Sequence, residues 1–176
     1  MEDQLIEVRR RLADAHSPRP VQQPVPLVIG AMSGAGLSVA ARHADIVAFA
    51  GVKQLRSAPL GTLTLSSAAE MAQRVDYVRQ VAGGRAYRTD VLLQAVEIER
   101  DPEQAAAEFA ADLPGRSVAE LLENPFVLFA SSASAAAREL RRRQQLYGLD
   151  GVTTHQPYCE PLGAVIAAYR SGFEQS

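Results

Sequence analysis

Apolar positions along the chain follow two rhythms, and the two alternate. Between residues 2 and 14, Leu5, Ile6, Val8 and Leu12 mark one side of a helix whose other side carries Arg9, Arg10 and Arg11. Pro18, Pro20, Pro24 and Pro26 cannot continue a helix, so 17–26 reads as an extended connector. Leu27-Val28-Ile29, closed by Gly30, is a short apolar run without alternation, the pattern of a buried parallel strand. A helix over 37–44 and a strand over 45–49 follow, then a loop over 50–66 holding Gly51, Pro59 and Gly61. Ser66 or Ser67 caps a helix to about Ala82, with Glu70 near the capping-box position and Gly83-Gly84 as its stop. A long apolar strand spans 89–98. Asp101-Pro102 opens a helix over 103–112, a second helical piece covers 116–123, and Pro125 to Phe129 reads equally as a strand or a packed turn. Ser131 or Ser132 opens a helix through Tyr147 that Gly148 closes, 151–154 is the last strand, and a helix over 161–169 precedes a polar tail. Strands alternating with helices predict an α/β protein with a parallel sheet and right-handed crossovers. We read one domain over 1–176, with a helix and connector over 1–26 and a tail over 171–176.

Composition narrows the function. The 176 residues hold 18 basic and 20 acidic side chains, a net charge of −2 that argues against a nucleic-acid binder. No apolar run approaches the ~20 residues of a membrane span, and the start Met1-Glu2-Asp3-Gln4 lacks the marks of a signal peptide, so a cytoplasmic location is expected. A single cysteine, Cys159, permits no internal disulfide. Seventeen arginines against one lysine and 30 alanines read as a genomic base-composition bias.

The segment with the most chemistry is Gly30-Ala31-Met32-Ser33-Gly34-Ala35-Gly36, between a strand and a helix. Bare N–H groups at a helix start attract an anion, and glycines let a phosphate approach the backbone. The competing reading is that these glycines serve only a tight turn and close packing. Gly30, Gly34 and Gly36 also fit a dinucleotide spacing, but the next strand ends Phe49-Ala50-Gly51 without the acidic residue or arginine that reading needs. Ser33 lacks a G-x-S-x-G elbow, which removes a hydrolase.

From Pro18 to about Tyr169 the chain resembles the C-terminal part of the luciferase-like monooxygenases, a flavin- or deazaflavin-dependent oxidoreductase family. The residues that carry the resemblance are Pro20-Val21-Gln22-Gln23-Pro24, Leu27-Val28-Ile29-Gly30 and Ala40-Ala41-Arg42-His43-Ala44-Asp45-Ile46-Val47. Arg74-Val75-Asp76-Tyr77-Val78-Arg79, Ala82-Gly83-Gly84-Arg85, Asn124-Pro125, Ala137 to Arg143 and Tyr147-Gly148-Leu149-Asp150-Gly151-Val152 continue it. The resemblance is nearest to the branch that uses the deazaflavin coenzyme. It implies a (β/α)8 (TIM) barrel, of which the strands at 27–30, 45–49, 89–98 and 151–154 are the fifth to eighth. The region 27–170 would then be a parallel (β/α) half-barrel. It also implies FMN or a deazaflavin coenzyme, with Gly30, Ser33, Gly34, Ala35 and Gly36 at the cofactor phosphate, and a small-molecule substrate for monooxygenation or hydride transfer.

A whole barrel takes about 250 residues, and a lone half leaves strand edges and an apolar face open. The expected partner is a second copy in a homodimer or a separately encoded N-terminal half-barrel. Two functions remain open at this point: an oxidoreductase subunit, or a non-catalytic half-barrel acting as scaffold or regulator.

Other residues are more ambiguous. His155, after the last strand, is an acid/base candidate or a loop histidine. His155 and Cys159, four apart, lack the further ligands of a metal site. His43 suits a helix-end electrostatic role beside Arg42 and Asp45, and His16 is expected to be solvated. Arg138 and Arg141 to Arg143 read as a solvated helix surface, with an anion patch as the alternative. Glu97 and Glu99 are expected on one side of a strand's pleat.

Overall fold

The computed structural model describes residues 2–14, 17–18, 20–56 and 58–172. His16 and the tail beyond residue 172 lie outside them. Helix α1 is Glu2–Asp14, after which β1 (Val28–Gly30), α2 (Gly34–His43) and β2 (Ile46–Phe49) follow. A hairpin of β3 (Val52–Gln54) and β4 (Leu63–Leu65) leads to α3 (Ala68–Ala82), then β5 (Arg88–Leu93) and β6 (Ala95–Glu97). The chain ends with α4 (Pro102–Asp112), α5 (Val118–Leu122), β7 (Val127–Phe129), α6 (Ala133–Tyr147), β8 (Gly151–Thr154), a 3-10 turn at Gln156–Tyr158 and α7 (Cys159–Ser171). No helix among the described residues is long and apolar enough to cross a membrane.

Four strands form one parallel sheet in the order β1-β2-β5-β8. Because that order never reverses, right-handed crossovers place every connecting helix on the same face. Burial follows the rule. Val47, Phe49, Val91 and Leu93 are at most 1% exposed and pack with Leu37 and Ala40 of α2, Met71 and Val75 of α3, Ala137 and Leu140 of α6, and Val165 of α7. Their neighbours on the opposite face, Ile46, Ala48, Asp90 and Leu92, are only half-buried, and Val28 is 60% exposed. One face of the sheet is core, and the other has no helical cover among the described residues.

Two aspartates fasten the strand starts in the same way. Asp45 accepts the Leu27 N–H at 2.8 Å, and Asp150 accepts the Thr89 N–H at 2.8 Å. Each carboxylate lies just before one strand and satisfies a backbone donor of its neighbour. Arg85 closes the α2 end from outside, donating to the Ala41 and Ala44 carbonyls at 2.9 and 2.6 Å, a favourable place for a cation.

The helix caps are those the sequence signals. Ser67 and Glu70 form a reciprocal capping box, Asp101 and Ser132 cap α4 and α6, and Gly83 and Gly148 end their helices in the left-handed conformation. Four expectations need correction. The loop over 50–66 contains the antiparallel β3–β4 hairpin, whose three-residue strands are too short to show a period. The strand over 89–98 breaks at Gln94, whose N–H turns to the Phe126 carbonyl at 2.7 Å, and β6 then pairs in parallel with β7. That pairing settles the ambiguous segment at 125–129 as a strand. Glu97 and Glu99 share no pleat: Glu99 has left the strand with φ +61°, and Glu97 pairs with Arg100. Arg143 is not on a solvated face. Its guanidinium is 2% exposed, donating to Glu139 at 2.7 Å and to the Val127 carbonyl at 2.7 Å.

Candidate functional site

The C-terminal ends of the four parallel strands meet along one edge, and loops at such an edge are where α/β folds place ligands. After β1 the chain makes a turn of three residues and enters α2 at Gly34, three residues earlier than the sequence suggests. The reason is the Ser33 cap, whose hydroxyl accepts the Gly36 N–H at 3.2 Å while its carbonyl accepts the Leu37 N–H at 2.8 Å. Those bonds leave the Gly34 and Ala35 N–H groups without a partner among the described residues, and both residues are exposed.

The three glycines of this turn do different things. A Cβ on Gly36 would stand 3.0 Å from the Ala31 Cβ and 3.3 Å from Ser33 Oγ, a tight fit that would push on the turn. A Cβ on Gly34 would meet nothing within 4 Å, and on Gly30 only the Ala48 carbonyl at 3.8 Å. None of the three has positive φ. Gly34 is therefore the position where open space adjoins bare backbone donors.

Beyond β5 and β8 a polar chain crosses the same edge. The exposed His155 has its Nε2 3.1 Å from Gln94 Oε1, and Gln94 Nε2 donates to the Ala50 carbonyl at 2.8 Å. Loops after β2, β5 and β8 are thereby tied together. Cys159 Sγ lies 3.6 Å from the His155 carbonyl, a backbone contact of the turn. Thr154 donates to the Leu93 carbonyl, and Thr153 to Asp90 Oδ2 at 2.8 Å on the uncovered face. Burial pushes the Asp90 carboxyl up from its ordinary value, and the Thr153 hydrogen bond partly offsets that.

His43 lies away from this edge. Its Nε2 is 2.5 Å from Glu2 Oε1, so it fastens α1 to the end of α2; Arg42 joins the same carboxylate at 3.3 Å. Sequence reasoning missed Gln94 and Arg74. Gln94 was hidden inside an apolar run, where its break from the strand was the only signal. Arg74 sits on α3 and reaches Ser66 Oγ at 2.9 Å and Met32 Sδ at 3.8 Å, bracing the turn before Ser33.

No protein-family model matches the sequence, and no curated protein matches it either. Among solved structures, the chain is similar to an F420-dependent secondary alcohol dehydrogenase in complex with an F420–acetone adduct. That likeness has a TM-score of 0.56 at 14% identity, covering 88% of this chain and 51% of the other. A long-chain alkane monooxygenase (LadA) gives a TM-score of 0.46 at 16% identity, covering 81% and 38%. The chain thus spans about half the length of the dehydrogenase it resembles, and what the two share is an α/β fold.

Proposed function

We propose that the chain is a half-barrel of a flavin- or deazaflavin-dependent, luciferase-like oxidoreductase, with the loops after β1, β2, β5 and β8 forming half of the cofactor mouth. The observation that carries this reading is the pair of unpartnered N–H groups at Gly34 and Ala35, open to solvent at the strand edge of this fold. These groups, the α2 dipole and the Ser33 hydroxyl would hold the cofactor phosphate. The bound cofactor would supply hydride or electron transfer to a small organic substrate. His155 donates its Nε2–H to Gln94 Oε1, which would leave Nδ1 to hold or deliver a proton. The F420 named with the dehydrogenase supports a deazaflavin, and the choice between it and FMN falls to experiment.

The half-barrel is closed by a second (β/α)4 unit, either another copy or a complementary half. The support is the sheet face without helical cover, where Val28 and Ile46 lie side by side in register. Fluorescence titration with FMN and with reduced deazaflavin tests the cofactor reading. We expect saturable binding that Gly34→Val abolishes without loss of folding. Absence of binding to either in the assembled protein overturns it and leaves a non-catalytic scaffold. Light scattering tests assembly: a mass near 38 kDa, twice 18.9 kDa, or capture of a complementary half is expected, and a stable 18.9 kDa monomer that binds flavin refutes the partner.

A further inference from the structure

A second cavity of about 570 Å³ lies beside the candidate mouth, and its walls carry a strong charge imbalance. Lys53, Arg56, Arg74 and Arg116 line it, with Glu70 as the lining carboxylate. A chain with net charge −2 has its single lysine here, together with three arginines. The fold brings them together from three elements. Lys53 and Thr64 are directly paired across the β3–β4 hairpin, so their side chains share one face. Glu70 and Arg74 are one turn apart on α3. Arg116 enters from the loop before α5, where its Nε and Nη2 donate to the Leu65 carbonyl at 3.0 and 2.7 Å.

The cations are unequally neutralised. Glu70 is shared three ways: it pairs with Lys53, lies 3.6 Å from Arg116 Nη2, and accepts the Ser67 N–H. Glu120 takes the outer edge of Arg116 at 3.1 Å. Arg74 makes no ion pair among the described residues and uses one nitrogen for Ser66 and Met32, leaving other donors for a ligand. At the same wall Thr64 is 2% exposed, and its Oγ1 has no hydrogen-bond partner among the described residues. Gly115, with φ +84°, stands opposite: a Cβ there would lie 3.5 Å from that hydroxyl and 3.2 Å from Leu55 Cδ1. An orphaned buried hydroxyl beside under-neutralised guanidinium and ammonium groups asks for an acceptor oxygen bearing negative charge.

We propose that this cavity binds the phosphate group of a small-molecule phosphomonoester, with Arg74 and Lys53 as its charge partners and the Thr64 hydroxyl donating to one oxygen. The site is separate from the backbone donors at Gly34 and Ala35, and Arg74 links the two through Met32. It stands whether or not the chain uses a flavin, since its test needs none. The phosphate has two possible sources, the substrate or the cofactor itself.

The test is calorimetric titration of the full chain with ribose 5-phosphate, with ribose as control, at constant ionic strength. Saturable binding of the phosphate ester and none of ribose is expected. Arg74→Gln and Lys53→Met should each weaken it about tenfold or more, the loss expected for a charge-assisted hydrogen bond. Thr64→Val should weaken it about threefold without lowering thermal stability, because the variant removes an unpaired hydroxyl. Arg11→Gln on α1 should change nothing. Competition separates the sources: if FMN displaces ribose 5-phosphate the cofactor phosphate is the ligand, and if both bind together it belongs to the substrate. Binding equal for ribose, or undiminished in both Arg74→Gln and Lys53→Met, overturns the proposal. Far-ultraviolet circular dichroism confirms that each variant is folded before it is scored.

Discussion

Gly51→Ala tests how the strand edge is built, because the end of β2 carries both the mouth and the hairpin. Gly51 has φ +75°, a region that costs a residue with a Cβ about 1–2 kcal/mol. The added methyl would stand 2.2, 2.4 and 2.6 Å from three ring carbons of Phe126. Ordinary carbon contacts are about 3.5–4.0 Å, so the ring must retreat by more than 1 Å. It has nowhere to go, since Phe126 is 0% exposed within the core, and overpacking of that kind costs about 1–3 kcal/mol. We expect a loss near 3 kcal/mol in urea unfolding at unchanged slope, a fall in Tm of roughly 6–12 °C at this chain length. The damage should reach the mouth as well. The Phe126 carbonyl holds the Gln94 N–H at 2.7 Å, and Gln94 in turn holds His155 and the Ala50 carbonyl. The control is Gly30→Ala, whose Cβ meets only the Ala48 carbonyl at 3.8 Å with φ outside the left-handed region. It should be neutral, or stabilising by about 0.5 kcal/mol through the unfolded chain. A Gly51→Ala loss below about 1 kcal/mol, or an equal loss in Gly30→Ala, would show that the Phe126 contact does not govern this edge.

Three further outcomes follow from the charged groups. Arg143→Met should cost about 2–4 kcal/mol in chemical unfolding, because it strands the Pro125 and Val127 carbonyls while Glu139 keeps its pair with Arg142; a loss under about 1 kcal/mol would contradict the buried bonding. Burial alone raises the Glu70 carboxyl, but hydrogen bonds from Lys53 and Ser67 bring it down to about 2, so its stabilisation is full above pH 4.5 and fades as pH falls from there towards 2. Glu70→Gln should therefore lower stability at pH 7 by about 1–2 kcal/mol after solvent screening and flatten the acid limb; an unchanged limb refutes the pairing. Asp90 has the opposite sign. Its raised folded value means stability declines as pH rises above the ordinary 3.8, so Asp90→Asn should raise Tm at pH 7 and leave it nearly unchanged well below pH 3.8; a lower Tm at pH 7 would sink that account.

How much of this was legible beforehand depends on the range over which each feature is determined. The capping box at Ser67 and Glu70, the Asp101 and Ser132 caps and the Gly83 and Gly148 stops are settled within four residues, and each was visible in the sequence. The main parallel strands were visible too, as apolar runs such as Leu27 to Ile29, but β1 is the exposed edge of the sheet and not the buried strand that its pattern predicts. The β3–β4 hairpin was not. Three residues per strand carry no period, and its existence rests on Gly51 turning under Phe126, a residue 75 positions away. Arg143 failed for the same reason: nothing local tells that α6 lays this one arginine of a basic run over the Pro125 and Val127 carbonyls.

The candidate site divides along the same line. The Ser33 turn is a contiguous segment with a local rule, so sequence alone located it. The polar cavity draws on Lys53, Thr64, Arg74 and Arg116, spread over 64 positions on three elements, and no local pattern marks any of them as a site residue. What made it findable was arithmetic that only folding completes: four cations and one shared carboxylate around one space, with a buried hydroxyl left unpaired. Unneutralised charge and an orphaned donor both weigh against stability. Their coincidence beside a parallel-sheet mouth is better explained by a ligand that relieves both than by folding alone.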